Sequence, residues 1–144
     1  MNNVLDNLGP VLAMALGALG SGSGAGVAGM AAAGAWKKCY LQNRPAPFLL
    51  IPMVAAPLTQ TIYGFIVMSQ LRAVSLDPLT KLAYGLFGGA SLGLSAYYQG
   101  KAAAACCDAM AETGKGFGNY MIVLGLVETV AVFTMVFLLA SMGG

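Results

Sequence analysis

The sequence predicts an all-α membrane protein with four transmembrane helices, on the basis of its composition, its apolar runs and an internal repeat. Only 8% of the 144 residues are charged and 58% are hydrophobic; the mean hydropathy is +0.77. Soluble domains carry about 25% charged residues, so this chain could not cover a soluble surface. The net charge of +2 is too small to indicate a nucleic-acid partner. Histidine, the commonest metal ligand and general base, is absent.

Four apolar spans follow one another and leave little sequence for an extramembrane domain. A helix needs about 20 apolar residues to cross a bilayer, and each span is that long. A short polar start, 1–7, precedes the first span. We expect a single membrane domain over 1–144, with spans at 8–36, 47–70, 78–106 and 119–142, joined by loops at 37–45, 71–77 and 107–118.

Basic residues in the short loops predict the orientation, because cytoplasmic loops carry an excess of lysine and arginine. The first and third loops with their flanks are more basic than the middle one. This places the loops 37–45 and 107–118 in the cytoplasm and both termini outside. The basic residues are Lys37, Lys38, Arg44, Lys101 and Lys115 on one side, against Arg72 and Lys81 on the other.

The two halves of the chain align without a gap when the sequence is shifted by 68 residues. Equivalent helices after an even shift indicate a duplicated hairpin in parallel orientation. We therefore predict two tandem repeats, about 8–70 and 76–142. The shift places Gln60 on Glu128, so one repeat carries an acid and the other its neutral isostere. Other matched pairs are Pro10 with Pro78, Cys39 with Cys107, Met53 with Met121 and Phe65 with Phe133.

The first span contains a run of closely spaced glycines. No Gly-Lys-Ser/Thr sequence follows, so the run is not a nucleotide-binding loop. In an apolar helix, glycines four residues apart let backbones approach closely. Ordinary dimer packing and the crowded inner wall of a ring both explain such a pattern. The glycines are Gly20, Gly22, Gly24, Gly26 and Gly29.

Glu128 lies near the middle of the apolar run 120–142. An ionised side chain at that depth costs several kcal/mol, so an intramembrane acid indicates a functional site when a partner is available. A protonated glutamic acid making one interhelical hydrogen bond is the simpler alternative.

The second span supplies polar partners for this acid. Positions 56, 59, 60 and 63 share one helical face, which presents Thr59, Gln60 and Tyr63. Pro57 lacks an N–H group, so carbonyls near this turn are candidates for ligand binding. Gln99 in the third span adds another amide oxygen. A hard cation needs several oxygen ligands, whereas a proton needs only the carboxyl; interhelical hydrogen bonding is the alternative for each residue alone.

These motifs together resemble the proteolipid subunit, called K or c, of V/A-type rotary ATPases in its duplicated four-helix form. The resemblance covers essentially the whole chain and depends on the segments 20–29, 57–64, 99–101 and 126–129. It implies a homo-oligomeric membrane ring that turns against a stator subunit bearing an essential arginine. A central-stalk subunit would contact the cytoplasmic loops, lipid would surround the ring, and nucleic acid would have no part. The location expected is a bacterial plasma membrane.

The resemblance also implies an ion site and its ligands. In sodium-carrying members the acid that matches Glu128 is joined by residues that match Thr59, Gln60 and Gln99, and a tyrosine that matches Tyr63 closes the site. A backbone carbonyl at the position of Ala56 completes the set, although those members carry a bulkier residue there. We expect one Na+ per subunit, with H+ as the alternative, and no organic cofactor. Ion movement would be coupled to ATP hydrolysis or synthesis, with no catalytic ATP site on this chain.

Two other functional classes are weaker. A small four-helix exporter of hydrophobic cations also depends on one membrane-embedded glutamate, but places it in the first helix. The first span here, 8–36, contains no acid. A purely structural four-helix protein would explain the glycines but not the matched oxygen groups.

Overall fold

The structure, a computed structural model, describes residues 2–143 and the side chains of residues 4–143, and these residues form an all-helical protein. A 3₁₀ turn, Ala56–Leu58, joins the second helix to the third, and no strand occurs between residues 2 and 143. The helices are α1 Asn2–Leu41, α2 Leu50–Ala55, α3 Thr59–Ala73, α4 Pro78–Thr113 and α5 Phe117–Met142.

The predicted all-α membrane fold is confirmed. Within the described residues, three helical stretches are long and apolar enough to cross a bilayer: Val4–Leu41, Leu50–Ala73 and Phe117–Met142. α4 has 36 residues, ample length for a crossing, but its glycines, serines and tyrosines make it less apolar than the other three. α4 contacts α1, α3 and α5, so protein covers much of its surface.

Several predicted loop boundaries are wrong, because helices continue past the apolar runs. α1 includes residues 2–7, which were predicted as a polar start, and it extends to Leu41. Met1, the first residue of that predicted start, lies outside the described residues. α4 extends to Thr113, so the predicted loop 107–118 shrinks to 114–116. Alanine is the best helix former, and the alanine-rich segment 102–111 carries α4 beyond its apolar part. Gly114 ends the helix in the left-handed conformation, with φ of 66° and its N–H donating to the Met110 carbonyl.

The second span also differs from its prediction. It is helical over 50–73 rather than 47–70, and the connection to α4 is only 74–77. Pro57 lies in the first turn of the 3₁₀ segment, where its missing N–H is least costly. The turn interrupts the α-helical ladder at the level of the polar residues.

Glycines bring α1 and α4 into backbone contact. Gly20 faces Gly93, and Gly24 faces Ala96 and Gly100, so closely that a Cβ at either position of α1 would collide with the backbone of α4. Small residues permit this approach because no side chain keeps the helices apart. The two helices therefore form the tightest pair in the molecule.

Apolar clusters lie at both ends of the helix bundle, and the polar side chains of α3, α4 and α5 meet between them. One cluster lies towards the loops 42–49 and 114–116; it includes Ala28, Cys39, Leu50, Met53, Cys107 and Leu124. The other lies towards the opposite end and consists of Ala13, Val67, Leu71 and Met142. Large apolar side chains such as Phe65, Phe87, Phe133 and Phe137 are exposed on the outer surface, as expected of a surface that contacts lipid.

Candidate ion-binding site

Glu128 is half-buried near the middle of α5, where two other helices donate hydrogen bonds to its carboxyl group. The Tyr63 hydroxyl of α3 donates to Oε1 at 2.7 Å. Nε2 of Gln99, from α4, donates to Oε2 at 3.2 Å. Each carboxyl oxygen thus has a donor, and the carboxyl group is held at the meeting point of three helices.

Gln60 and Gln99 form a buried amide pair beside the carboxyl group. Both side chains are fully buried, with 0% exposure. Nε2 of Gln60 donates to Oε1 of Gln99 at 2.8 Å. Nε2 of Gln99 also donates to the backbone carbonyl of Leu124 at 3.0 Å. Since buried amides are costly unless they are hydrogen-bonded, these contacts fix the orientation of the Gln99 amide.

A compact group of oxygens surrounds Thr59 at the 3₁₀ turn. Oγ1 of Thr59 lies 3.2 Å from the Ala56 carbonyl and 3.2 Å from Oε1 of Gln60. The hydroxyl has one proton and can donate to only one of these acceptors at a time. The second acceptor therefore keeps a lone pair that is free for another ligand.

The structure brings together all the side chains that the sequence indicated for the site. Thr59, Gln60 and Tyr63 come from α3, Gln99 from α4 and Glu128 from α5, with the Ala56 carbonyl at the turn. The set offers oxygen ligands and a single carboxylate, which suits one hard monovalent cation. A proton on Glu128 would neutralise the same charge.

No basic side chain neutralises Glu128 within the described residues. The ion pair in this part of the chain is formed by Lys38 and Glu112, and it links the ends of α1 and α4. Lys101, two residues beyond Gln99, instead lies over the rings of Tyr97 and Tyr98, at 5.6 and 5.7 Å from their centroids.

Two contacts at the site were not indicated by the sequence. The Leu124 carbonyl accepts a hydrogen bond from Gln99, and Ser95 donates from Oγ to the Val127 carbonyl at 3.2 Å. The spacing of Ser95 and Gln99, four residues apart on α4, is a signal for a shared helix face. A backbone acceptor such as Leu124 leaves no mark in the sequence.

The glycines named from the sequence divide into two groups. Gly20 and Gly24 pack against α4, as described above. Gly22 and Gly26 have no atom within 4 Å of an added Cβ, and Gly29 has only Val54 at 3.7 Å. Their predicted contacts with neighbouring subunits stay a prediction, and Gly22 and Gly26 are exposed in the single chain.

Comparison with known proteins shows two similarities. Residues 82–140, which include Gln99 and Glu128, match the family model for the ATP synthase C-subunit. The chain is 38% identical over 133 residues to the A-type ATP synthase subunit K of Methanocaldococcus jannaschii. The alignment covers 90% of this chain and 58% of the relative, so the chain spans less than two thirds of that protein's length. The matched regions include the segments that form the buried acid-and-amide site, and over these regions the chain is similar to the proteolipid subunits of rotary ATP synthases.

Proposed function

We propose that this chain is the rotor subunit of an A/V-type rotary ATPase and that it carries one Na+ per subunit on Glu128. The observation that carries the proposal is the oxygen cluster around this single acid. Five groups converge there, namely the Ala56 carbonyl, Thr59, Gln60, Gln99 and Glu128. A proton carrier would need only the carboxyl group, whereas a hard cation needs several oxygens.

Neutralisation of Glu128 explains how rotation is coupled to ion movement. A bare carboxylate in hydrocarbon is too costly, so Glu128 must hold a cation or a proton while its subunit faces lipid. Opposite the aqueous channels and the arginine of a stator subunit, the ionised form is tolerated and the ion exchanges. Loading on one side and release on the other then require the ring to turn.

Each subunit would carry one charge each time it passes the stator. The duplicated position is the neutral Gln60, which donates to Gln99 rather than carrying a second ion. A membrane potential contributes about 2.3 kcal/mol per charge per 100 mV. The same cycle supports ATP-driven pumping in one direction and ATP synthesis in the other.

The surface of the chain suits a ring of identical subunits in lipid. Gly22 and Gly26 leave an exposed, side-chain-free strip on α1, where a neighbour's helix could approach closely. Repeated head-to-tail contacts close into a ring when the rotation per subunit permits. The loops 42–49 and 114–116 would lie in the cytoplasm and contact a central-stalk subunit, with both termini outside.

Proton transport is the second candidate, and one observation favours it. The hydrogen bonds from Tyr63 and Gln99 serve both oxygens of Glu128, and Gln60 already donates to Gln99. Each carboxyl oxygen therefore has a hydrogen-bond donor without a bound cation. In a proton carrier the Thr59 and Gln60 oxygens would contribute only interhelical hydrogen bonds.

Carbodiimide labelling distinguishes the two ions, because the reagent attacks a protonated carboxyl group. The purified ring is labelled at one mildly acidic pH while NaCl is titrated against KCl as a matched control, and labelled Glu128 is located by mass spectrometry. Protection by sodium and not by potassium supports a sodium site. Labelling that is indifferent to sodium would identify H+ as the carried ion. A Glu128 that is unreactive under every condition would contradict the rotor function.

A further inference from the structure

Ser21 is a buried hydroxyl whose hydrogen-bonding capacity is unused. Its side chain is only 1% exposed, and Oγ has no hydrogen-bond partner among the described residues. Hydroxyls of other helical residues bond back to their own helix four residues earlier; Ser23 reaches the Leu19 carbonyl and Thr129 the Gly125 carbonyl, each at 2.8 Å. Ser21 does not make this bond. A buried polar group without a partner is costly, so the hydroxyl requires an explanation.

The position of Ser21 on α1 directs it towards the rear of the candidate ion site. Residues three and four apart share a helix face, and Ser21 lies between Gly17 and Gly24 in this way. A Cβ at Gly17 would be 2.8 Å from the Gln60 carbonyl, and one at Gly24 would be 3.1 Å from Cβ of Pro57. Ser21 is therefore level with the 3₁₀ turn that carries Ala56 and Pro57 and with Gln60 in the first turn of α3.

Gln60 has a complementary unused donor at this place. A glutamine amide has two N–H groups, and Gln60 uses one of them for Oε1 of Gln99. Gln99, in contrast, uses both of its own, for Glu128 and for the Leu124 carbonyl. Gln60 is also fully buried. Both side chains are buried, and the helices that carry them approach each other closely where Gly17 meets the backbone carbonyl of Gln60.

We infer that Ser21 is a positioning residue of the ion site, joined to the second N–H of Gln60 through one ordered water molecule. Buried waters typically connect otherwise unsatisfied polar groups of this kind. The bond keeps the Gln60 amide in one orientation, with Oε1 towards Thr59 and the cation. A flipped amide would direct its NH₂ group at the cation and lose an oxygen ligand. The inference rests on the sodium function proposed above and assigns part of its ion specificity to α1.

The test compares Ser21→Ala with Ser23→Ala in assembled rings, using protection of Glu128 from carbodiimide by sodium. Loss of a hydrogen bond of ordinary strength should raise the sodium concentration for half-protection about three- to tenfold in Ser21→Ala. Ser23→Ala should leave it unchanged, because the Ser23 hydroxyl is exposed and bonds to its own helix. If Ser21→Ala rings fail to assemble, Ser21→Cys replaces it in the comparison, since a thiol fills a similar space but forms only weak hydrogen bonds.

A second readout separates positioning from general damage. In sodium-free buffer, the pH midpoint of Glu128 labelling depends on the contacts that Tyr63 and Gln99 make with the carboxyl group, and Ser21→Ala should leave it unchanged. A shift of both midpoints would show that Ser21 is merely structural and would overturn the inference. Wild-type protection by sodium, together with a Ser21→Ala sodium concentration for half-protection equal to that of the wild type, would overturn this inference alone. Absence of sodium protection in the wild type would overturn the sodium function and the inference together.

Discussion

Gln60 and Gln99 face each other across α3 and α4, with Nε2 of Gln60 donating to Oε1 of Gln99 at 2.8 Å and both side chains fully buried. This pair connects the oxygens of the 3₁₀ turn to the carboxyl group of Glu128 on α5. A neutral amide pair can do this without adding charge to a low-dielectric interior, where a second acid would be costly. The site therefore contains a single carboxyl group among neutral side chains.

Removal of the central amide should impair the site severely. Gln99→Ala leaves Gln60 without its acceptor and the Leu124 carbonyl without its donor. An unsatisfied buried group costs about 1–3 kcal/mol, so we expect sodium affinity to fall at least about tenfold, as measured by protection of Glu128. Gln70→Ala, near the end of α3 and outside the site, is the control. Equal affinities in Gln99→Ala and the wild type would show that the amide does not serve the ion.

Tyr63→Phe should weaken closure of the site and leave the fold intact. The substitution removes one hydroxyl, the donor to Oε1 of Glu128, and keeps the ring. Hydrogen bonds to charged groups contribute about 1.5–3 kcal/mol, which corresponds to about a ten- to hundredfold loss of sodium affinity. Tyr84→Phe removes a hydroxyl that bonds to Ser141 at an exposed position and should have no such effect. If the two variants behave alike, Tyr63 has no special part in holding the ion.

The sequence predicted which polar side chains come together better than it predicted the ends of the helices. Thr59, Gln60 and Tyr63 were grouped because 3.6-residue periodicity places them on one face, and this grouping depends only on local geometry. The end of α4 was wrong because alanine-rich polar sequence continues a helix as readily as apolar sequence does. The role that we infer for Ser21 could not be predicted from the sequence, because Ser21 lies in a glycine–serine run that helix packing alone explains. Its significance depends on which neighbours it faces, and that requires the tertiary structure.

Because the backbones of α1 and α4 are in contact, we expect even a glycine-to-alanine substitution between them to lower the stability of the protein. In Gly24→Ala the new methyl group would collide with the Ala96 carbonyl, and backbone atoms cannot turn aside as side chains do. Overpacking costs about 1–3 kcal/mol, so the thermal midpoint of the detergent-solubilised ring should fall. Gly34→Ala, on the same helix, has open space around the added Cβ and should keep or raise the midpoint, since alanine is the better helix former. A Gly24→Ala ring as stable as the wild type would contradict the close packing of α1 on α4.

Acid should weaken the start of α4 through Asp77. Its carboxylate accepts the N–H groups of Leu79 and Thr80 at 3.1 and 3.0 Å, and hydrogen bonds from the Thr80 side chain and backbone hold the pKa of Asp77 below its ordinary value. Its contribution to stability is therefore complete above the unfolded pKa. That contribution is lost as the pH falls through the lower, folded-state pKa, below about pH 4.

Asp77→Asn tests this assignment, because asparagine caps a helix without a titrating group. Thermal midpoints of the detergent-solubilised ring should fall less on acidification in the variant than in the wild type. Identical pH profiles for the two proteins would show that other carboxyl groups determine acid stability.

Direct counting of bound sodium tests the central claim. Purified rings are equilibrated with isotopic sodium at neutral pH, and the bound ions per chain are measured for the wild type and for Glu128→Gln. The sodium-carrying site predicts one Na+ per wild-type chain and none in the variant, because the amide cannot neutralise the ion's charge. Absence of bound sodium in the wild type, or undiminished binding in Glu128→Gln, would contradict it.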